Sequence, residues 1–440
     1  MLSDAGLSIL EIFANNGVAI APGVDLSLTP GDWQADWRDN RDDPGTGGLV
    51  GSFTAYARAV INEGAVTVPS GSIAMYSINT ISSSPLVPGT TDPNPRFVDL
   101  AEGIHLADGS LLSAAGQRVD NSTLAERGVS LTPAVYPNGG RVVLQSEFAG
   151  GKQDFVWIAD RAVVDVSGGY EIQTDGAISG GDAGLLDVEG GALALEGQLR
   201  GFAIEGRAGG RMALTANRIR VVPEGTRLPN GFRFGGPLPE AVADSFQVDD
   251  DIMRAGGFTG LSLVSHWDLD VSPGVRVRPS NEKLTVPVGA TAQVESRWRD
   301  RVVSPDGGFA TARRVAGGDR VAVLEESVGM SSLVLEAGND RLSEAANEDN
   351  DTSRVIVRSG AAVVMAPGGA IALEAPQVVI GGSLRASAGL IEATSTTLDL
   401  VVQDGAVLSA PGFNRLIGEP VAPGLPTNRE ALHAARLVLT

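Results

Sequence analysis

Cysteine is absent from the chain, which excludes a disulfide framework and any thiolate metal site. Lysine occurs only at Lys152 and Lys283, with arginine supplying the other basic residues, a usage that fits GC-rich bacterial coding. Aromatic residues make up only 5% of the sequence, so few large rings are available to fill a broad core. No stretch approaches the length and apolarity of a transmembrane helix. Met1–Ser8 has neither the basic region nor the sustained apolar run of a signal peptide. No Gly-x-Ser-x-Gly elbow, phosphate-binding loop or His-rich zinc motif is present. The formal net charge of −20 opposes nonspecific binding to nucleic acid or to an anionic membrane.

What is abundant is glycine, 57 residues, within a chain that is 43% hydrophobic. Glycine and a small residue repeatedly introduce an alternating apolar stretch. The phrase is Gly71-Ser72-Ile73-Ala74-Met75-Tyr76-Ser77, then Gly191-Ala192-Leu193-Ala194-Leu195, Gly210-Arg211-Met212-Ala213-Leu214 and Gly369-Ala370-Ile371-Ala372-Leu373. A looser copy begins at Gly389, 20 residues after Gly369, and Gly191 precedes Gly210 by 19. Strict alternation over four to six residues marks a strand, and a strand recurring at this period marks a stacked solenoid. The fold class expected is therefore all-β, a stacked solenoid with loop insertions. About 300 residues in rungs of ~20 would give ~15 rungs and a rod on the order of 70 Å. A second glycine phrase, as in Glu63-Gly64-Ala65-Val66, Glu196-Gly197-Gln198-Leu199, Ser359-Gly360-Ala361, Gly381-Gly382-Ser383-Leu384 and Asp404-Gly405-Ala406, is expected at corners that need positive φ.

The coil is expected over residues 17–411, after an N-terminal cap or linker over 1–16. Polar or Pro- and Gly-rich segments near 30–50, 82–96, 116–139, 223–256, 299–320 and 339–351 read as excursions from it. Residues 412–440 read as a loop and the start of a further, truncated rung, because Leu437-Val438-Leu439 would stand uncapped. Helical period is confined to 3–15 and 428–436.

Chemistry-bearing clusters are sparse. His105, His266 and His433 are far apart in sequence and read as core or surface side chains. Asp249-Asp250-Asp251, Glu348-Asp349-Asn350-Asp351 and Asp39 with Asp42-Asp43 lack the alternating ligand spacing of a calcium loop and read as solvated acidic loops. Trp33, Trp37, Trp157, Trp267 and Trp298 are scattered; Trp33 and Trp37 share a loop in which they could pack or stack on a sugar. No catalytic, cofactor or metal residue is assigned, and no cofactor is expected.

Ala162-Val163-Val164-Asp165-Val166-Ser167-Gly168-Gly169, Gly209-Gly210-Arg211-Met212-Ala213-Leu214-Thr215-Ala216 and Gly256-Gly257-Phe258-Thr259-Gly260-Leu261-Ser262-Leu263 carry a family resemblance. With the phrase at Gly369, they resemble the filamentous haemagglutinin family of two-partner secretion exoproteins, over about residues 17–411. Asp92-Pro93-Asn94-Pro95 and Tyr136-Pro137-Asn138-Gly139 only approach the Asn-Pro-Asn motifs of that family's secretion domain, so the likeness is to the shaft. It implies a right-handed parallel β-helix with loop insertions, belonging to a secreted or surface-exposed bacterial adhesin without enzymatic activity. Its partners would be an outer-membrane transporter during export and a receptor or glycan on a host cell or matrix. The stalk of a contact-dependent toxin is an alternative within that export class, and a carbohydrate-active β-helix is one from another class.

Overall fold

The computed structural model describes residues 7–28, 51–78, 103–122, 135–146, 154–204, 206–225, 227–250, 256–278, 282–285, 302–303, 309–310, 312–314, 320–323, 331–338, 352–417, 428–432 and 436–440. They form a parallel β-helix. Its longest wall is an eleven-stranded sheet, parallel throughout, running in strict chain order from Ile9–Phe13 through Ser52–Ala57 and Ser72–Ser77 to Leu390–Ser395 and Arg436–Leu439. The alternating phrases at Gly71, Gly210, Gly369 and Gly389 fall on this wall because period-two apolar residues can all face inward at once, whereas the phrase at Gly191 lies on the second wall, so its 19-residue spacing from Gly210 is not a rung period. Register then stacks like on like. Phe53, Ile73, Val142, Leu186 and Met212 occupy one inward column, and Ala55, Met75, Leu144, Val188 and Leu214 the next; all are buried. Each layer thus covers the apolar surface of its neighbours, which no single layer could do alone.

Two further walls close the coil. The second begins with Gly17–Ile20, Ala59–Asn62, Gly103–Leu106, Phe155–Ile158 and Ala192–Leu195. Its continuation is Phe246–Asp249, Ile219–Val222, Leu269–Val271, Arg354–Val357, Gln377–Ile380 and Val401–Val402. That order breaks the chain order. Phe246–Asp249 arrives from the excursion after Ile219–Val222 and pairs in parallel on the side of that strand away from Leu269–Val271. Phe246 and Val248 point into the common core. One step on the long wall, from Leu185–Glu189 to Gly210–Ala216, therefore corresponds to two on the second wall. The third wall comprises a five-stranded sheet ending at Gln198–Arg200 and a four-stranded sheet starting at Arg276–Val277.

Several expectations change. The stretch expected to be helical over 3–15, and assigned to a cap or linker, contains the strand Ile9–Phe13, paired residue for residue with Ser52–Tyr56 inside the long wall. A five-residue apolar run satisfies either period, and the ready-made partner strand decides. Asn428–Leu432, expected to be helical, is also a strand, in an antiparallel hairpin with Phe413–Ile417. The helix among the described residues is Glu240–Asp244, inside the 223–256 excursion. The 299–320 excursion belongs to a larger insertion with antiparallel pairing, Glu282–Thr285 and Ala312–Arg314 flanking Arg320–Val323. The 116–139 excursion contributes the strand Arg118–Asp120. The excursions at 30–50, 82–96 and 339–351 lie outside the described residues. Eleven layers at ~4.8 Å per step span about 48 Å, short of 70 Å. The 20-residue period holds between Ser52 and Ser72 and between Ala370 and Leu390, but excursions consume residues elsewhere, as between Ser72 and Arg141.

The glycines serve two different needs. Gly360 and Gly405 do adopt positive φ, 85° and 83°. Gly64, Gly197 and Gly382 do not; a Cβ there would lie 2.5–2.7 Å from a carbonyl oxygen of the preceding layer. The same holds where the chain enters the long wall: a Cβ on Gly140, Gly184 or Gly389 would meet the oxygen of the glycine below at 1.9, 1.7 and 1.9 Å. At the entries through Gly71, Gly369 and Gly389 the residue one position earlier, Ser70, Gly368 or Ala388, is left-handed.

Candidate functional site

Two surface features stand out on the walls. The first is a short aromatic ladder on the outside of the long wall. Register places Phe13, Tyr56 and Tyr76 in one outward column. Neighbouring parallel strands are ~4.8 Å apart, so rings in one column must stack. Their centroids are 4.6 and 4.9 Å apart and nearly coplanar in orientation, 5° and 11°. Phe13 is 69% exposed. Burial against its neighbours, with Tyr76 and Glu11 adding, pushes the Tyr56 hydroxyl above its ordinary pKa. Beside the rings, Glu11, Thr54 and Ala74 form a low column, so the ring edges stand proud of a shallow strip. Beyond Tyr76 the aromatic column turns polar, with Gln145, Glu189 and Thr215 in register.

The second feature lies on the outer side of the second wall. Here alternation puts Phe155 and Trp157 on Phe155–Ile158, with His105 registered beside Trp157 on Gly103–Leu106. The excursion over 227–244 lies across them. Leu228 and Val242 pack with Phe155, Ala192 and Ala194 into a cluster of their own, joined by Trp157, Phe232, Phe234 and Leu238. His105 is stacked against both Trp157 and Phe234, with centroids at 4.2 and 5.2 Å. Trp157 Nε1 donates to Glu196 Oε2 at 3.2 Å, and the Leu228 amide donates to the other oxygen at 2.6 Å. One carboxylate therefore ties the platform to its cover. His105 Nε2 is buried with no hydrogen-bond partner among the described residues. Burial depresses the His105 pKa to about 4, against the opposing pull of Asp108.

Some of the remaining charged groups pair singly between layers. Arg141 meets Asp187 at 3.2 Å, Arg161 meets Asp108 at 2.9 Å, and Arg354 meets Asp268 at 3.3 Å. The best-formed pair is Arg358 with Asp270, where Nε lies 2.9 and 2.7 Å from the two carboxylate oxygens and Nη2 adds a third bond. Those bonds raise the Arg358 pKa further above its ordinary value. Among the described residues no three His, Asp or Glu side chains converge in a way that could hold a metal ion.

The structure disperses the residues singled out from sequence. Asp250 accepts from the Arg276 amide at 3.0 Å, and so serves the corner before Arg276–Val277. Buried His266 packs edge-on to Trp267. His433, Trp33, Trp37, Trp298, Asp251, the acidic run at 348–351 and Asp39, Asp42 and Asp43 lie outside the described residues. Both aromatic features escaped notice in the sequence although each leaves a trace there. The ladder occupies the same slot, immediately after the second core residue, in three successive phrases. The platform and its cover both read aromatic-x-aromatic, Phe155-Val156-Trp157 and Phe232-Arg233-Phe234.

Comparison with protein-family models, with curated proteins and with solved structures finds no match to this chain.

Proposed function

We propose that the chain is a structural shaft and binding surface of a large secreted or surface-exposed bacterial exoprotein, of the filamentous haemagglutinin kind, acting by adhesion without catalysis. The observation that carries this reading is the uninterrupted eleven-strand wall. A ladder of this kind holds a fixed length while leaving its outward side chains free to vary, which is what presenting a surface at a distance requires. The ion pairs described along the coil are isolated from one another, which supports the non-catalytic part, since acid–base chemistry needs titratable groups that converge.

Antibodies against this chain should label intact cells of the source bacterium, and beads coated with the protein should adhere to host cells, other bacteria or matrix polymer. Strictly cytosolic protein would overturn the export reading. Release of unsaturated or reducing sugars from bacterial or plant polysaccharides would overturn the non-catalytic one.

A further inference from the structure

We infer that residues 227–244 form an acid-released strap, docked on the second wall while His105 is neutral and lifted when its imidazole takes up a proton. The argument begins with geometry. The strap touches the coil largely through rings, beside the Leu228 and Val242 contacts, and His105 is stacked against both Trp157 of the wall and Phe234 of the strap. Phe232 meets Trp157 edge-on at 5.4 Å and Phe155 at 6.1 Å, closing the sides. A neutral imidazole fits such a stack as a flat, weakly polar ring. An imidazolium carries N–H on both nitrogens, and buried Nε2 has no acceptor among the described residues. Attraction of the cation to the ring faces offsets only part of that loss.

The charged groups around the stack do not rescue it. At the turn after Gly103–Leu106, Asp108 favours the cation but is already held by Arg161. After Phe155–Ile158, Asp160 pairs with Arg227 of the strap at 3.2 Å. Glu196 is occupied by Trp157 and Leu228. On the strap, Glu240 and Asp244 lie on its helix, where Asp244 pairs with Arg218, and Arg233 stands between the two phenylalanines. Burial outweighs Asp108, so the docked His105 holds its proton less tightly, with a pKa of about 4. Once lifted, the imidazole regains about 6.5. Between those values the lifted form binds more protons, so docking is at full strength above about pH 6.5 and is lost as pH falls toward about 4. At about pH 5 the docking equilibrium should be some 30-fold weaker than at neutral pH.

The test is hydrogen exchange, corrected for intrinsic rates, on peptides covering Leu228–Asp244 at about pH 7.5 and pH 5. In the native protein the strap's opening should increase about 30-fold while peptides over Arg141–Ser146 stay protected. In His105→Phe, which keeps a ring in the stack, strap opening should not respond to pH. Equal protection at both pH values in the native protein, or the same loss in His105→Phe, overturns the proposal. If that variant does not fold, imidazole titration by NMR decides in the unaltered chain: a docked His105 titrating near 6.5 overturns it.

Discussion

Adjacent residues at one corner make opposite demands. Ala388 holds a left-handed backbone, φ 50°, and Gly389 next to it faces the Gly369 carbonyl. Alanine at positive φ costs about 1 kcal/mol relative to glycine, so Ala388→Gly should raise stability by roughly 0.5–1 kcal/mol. Gly389→Ala should cost more than about 2 kcal/mol, because the obstacle is backbone and two layers must part. Urea titrations of the two variants check both signs. Arg358→Ala is a different case. It strips buried Asp270 of its bidentate partner, yet Arg358 is half exposed and screened, so we expect a loss of about 1–2 kcal/mol rather than the full cost of an orphaned buried charge. High salt should shrink that difference in the same titration. Sequence marked these glycines as structural but supplied one reason for all of them. Positive φ is a local property that a phrase can suggest; contact with the layer below depends on register, which no single phrase contains.

At the level of elements, inward columns were legible because alternation and burial are the same pattern seen twice. Ser52–Ala57 reads intermediate, buried, intermediate, buried, as its sequence Ser-Phe-Thr-Ala-Tyr-Ala predicts. The 223–256 excursion was legible as a departure from the coil, but not as a piece that folds back. Its proline and glycine content hid the strand Phe246–Asp249 and the rings at Phe232 and Phe234. Those rings hold the strap, so replacing both by alanine should leave strand circular dichroism unchanged while Leu228–Asp244 becomes readily cleaved by protease at neutral pH. The loss of two partly exposed ring contacts should lower stability by about 1–3 kcal/mol, less than the usual penalty for two fully buried phenylalanines.

For the whole molecule, the fold class was the most legible property and its length the least. The repeat gives rise per layer, whereas the number of layers depends on how much chain the excursions take. Small-angle scattering should show a coil axis near 50 Å with the excursions broadening the cross-section, not a slender 70 Å rod. The acidic balance, pI about 4.6, gives the molecule a strong like-charge repulsion at neutral pH that vanishes close to that value. Light scattering should therefore detect association as pH approaches about 4.6, and salt should lessen the contrast with pH 7.

The displaced strand Phe246–Asp249 has a consequence for the order of events. A coil whose walls follow chain order can be completed like a tape, each turn settling on the last as it emerges. Here Ile219–Val222 is made first, yet its neighbour on the earlier side arrives some twenty residues later. Until then the growing molecule carries a notch in one wall, with apolar side chains wet and a strand edge open to wrong partners. Growth past this turn is therefore a pause point. The segment that relieves it must thread backward into a gap already flanked on both sides, so folding from a vectorially delivered chain should show a lag at this turn that the turns after Ala370 lack.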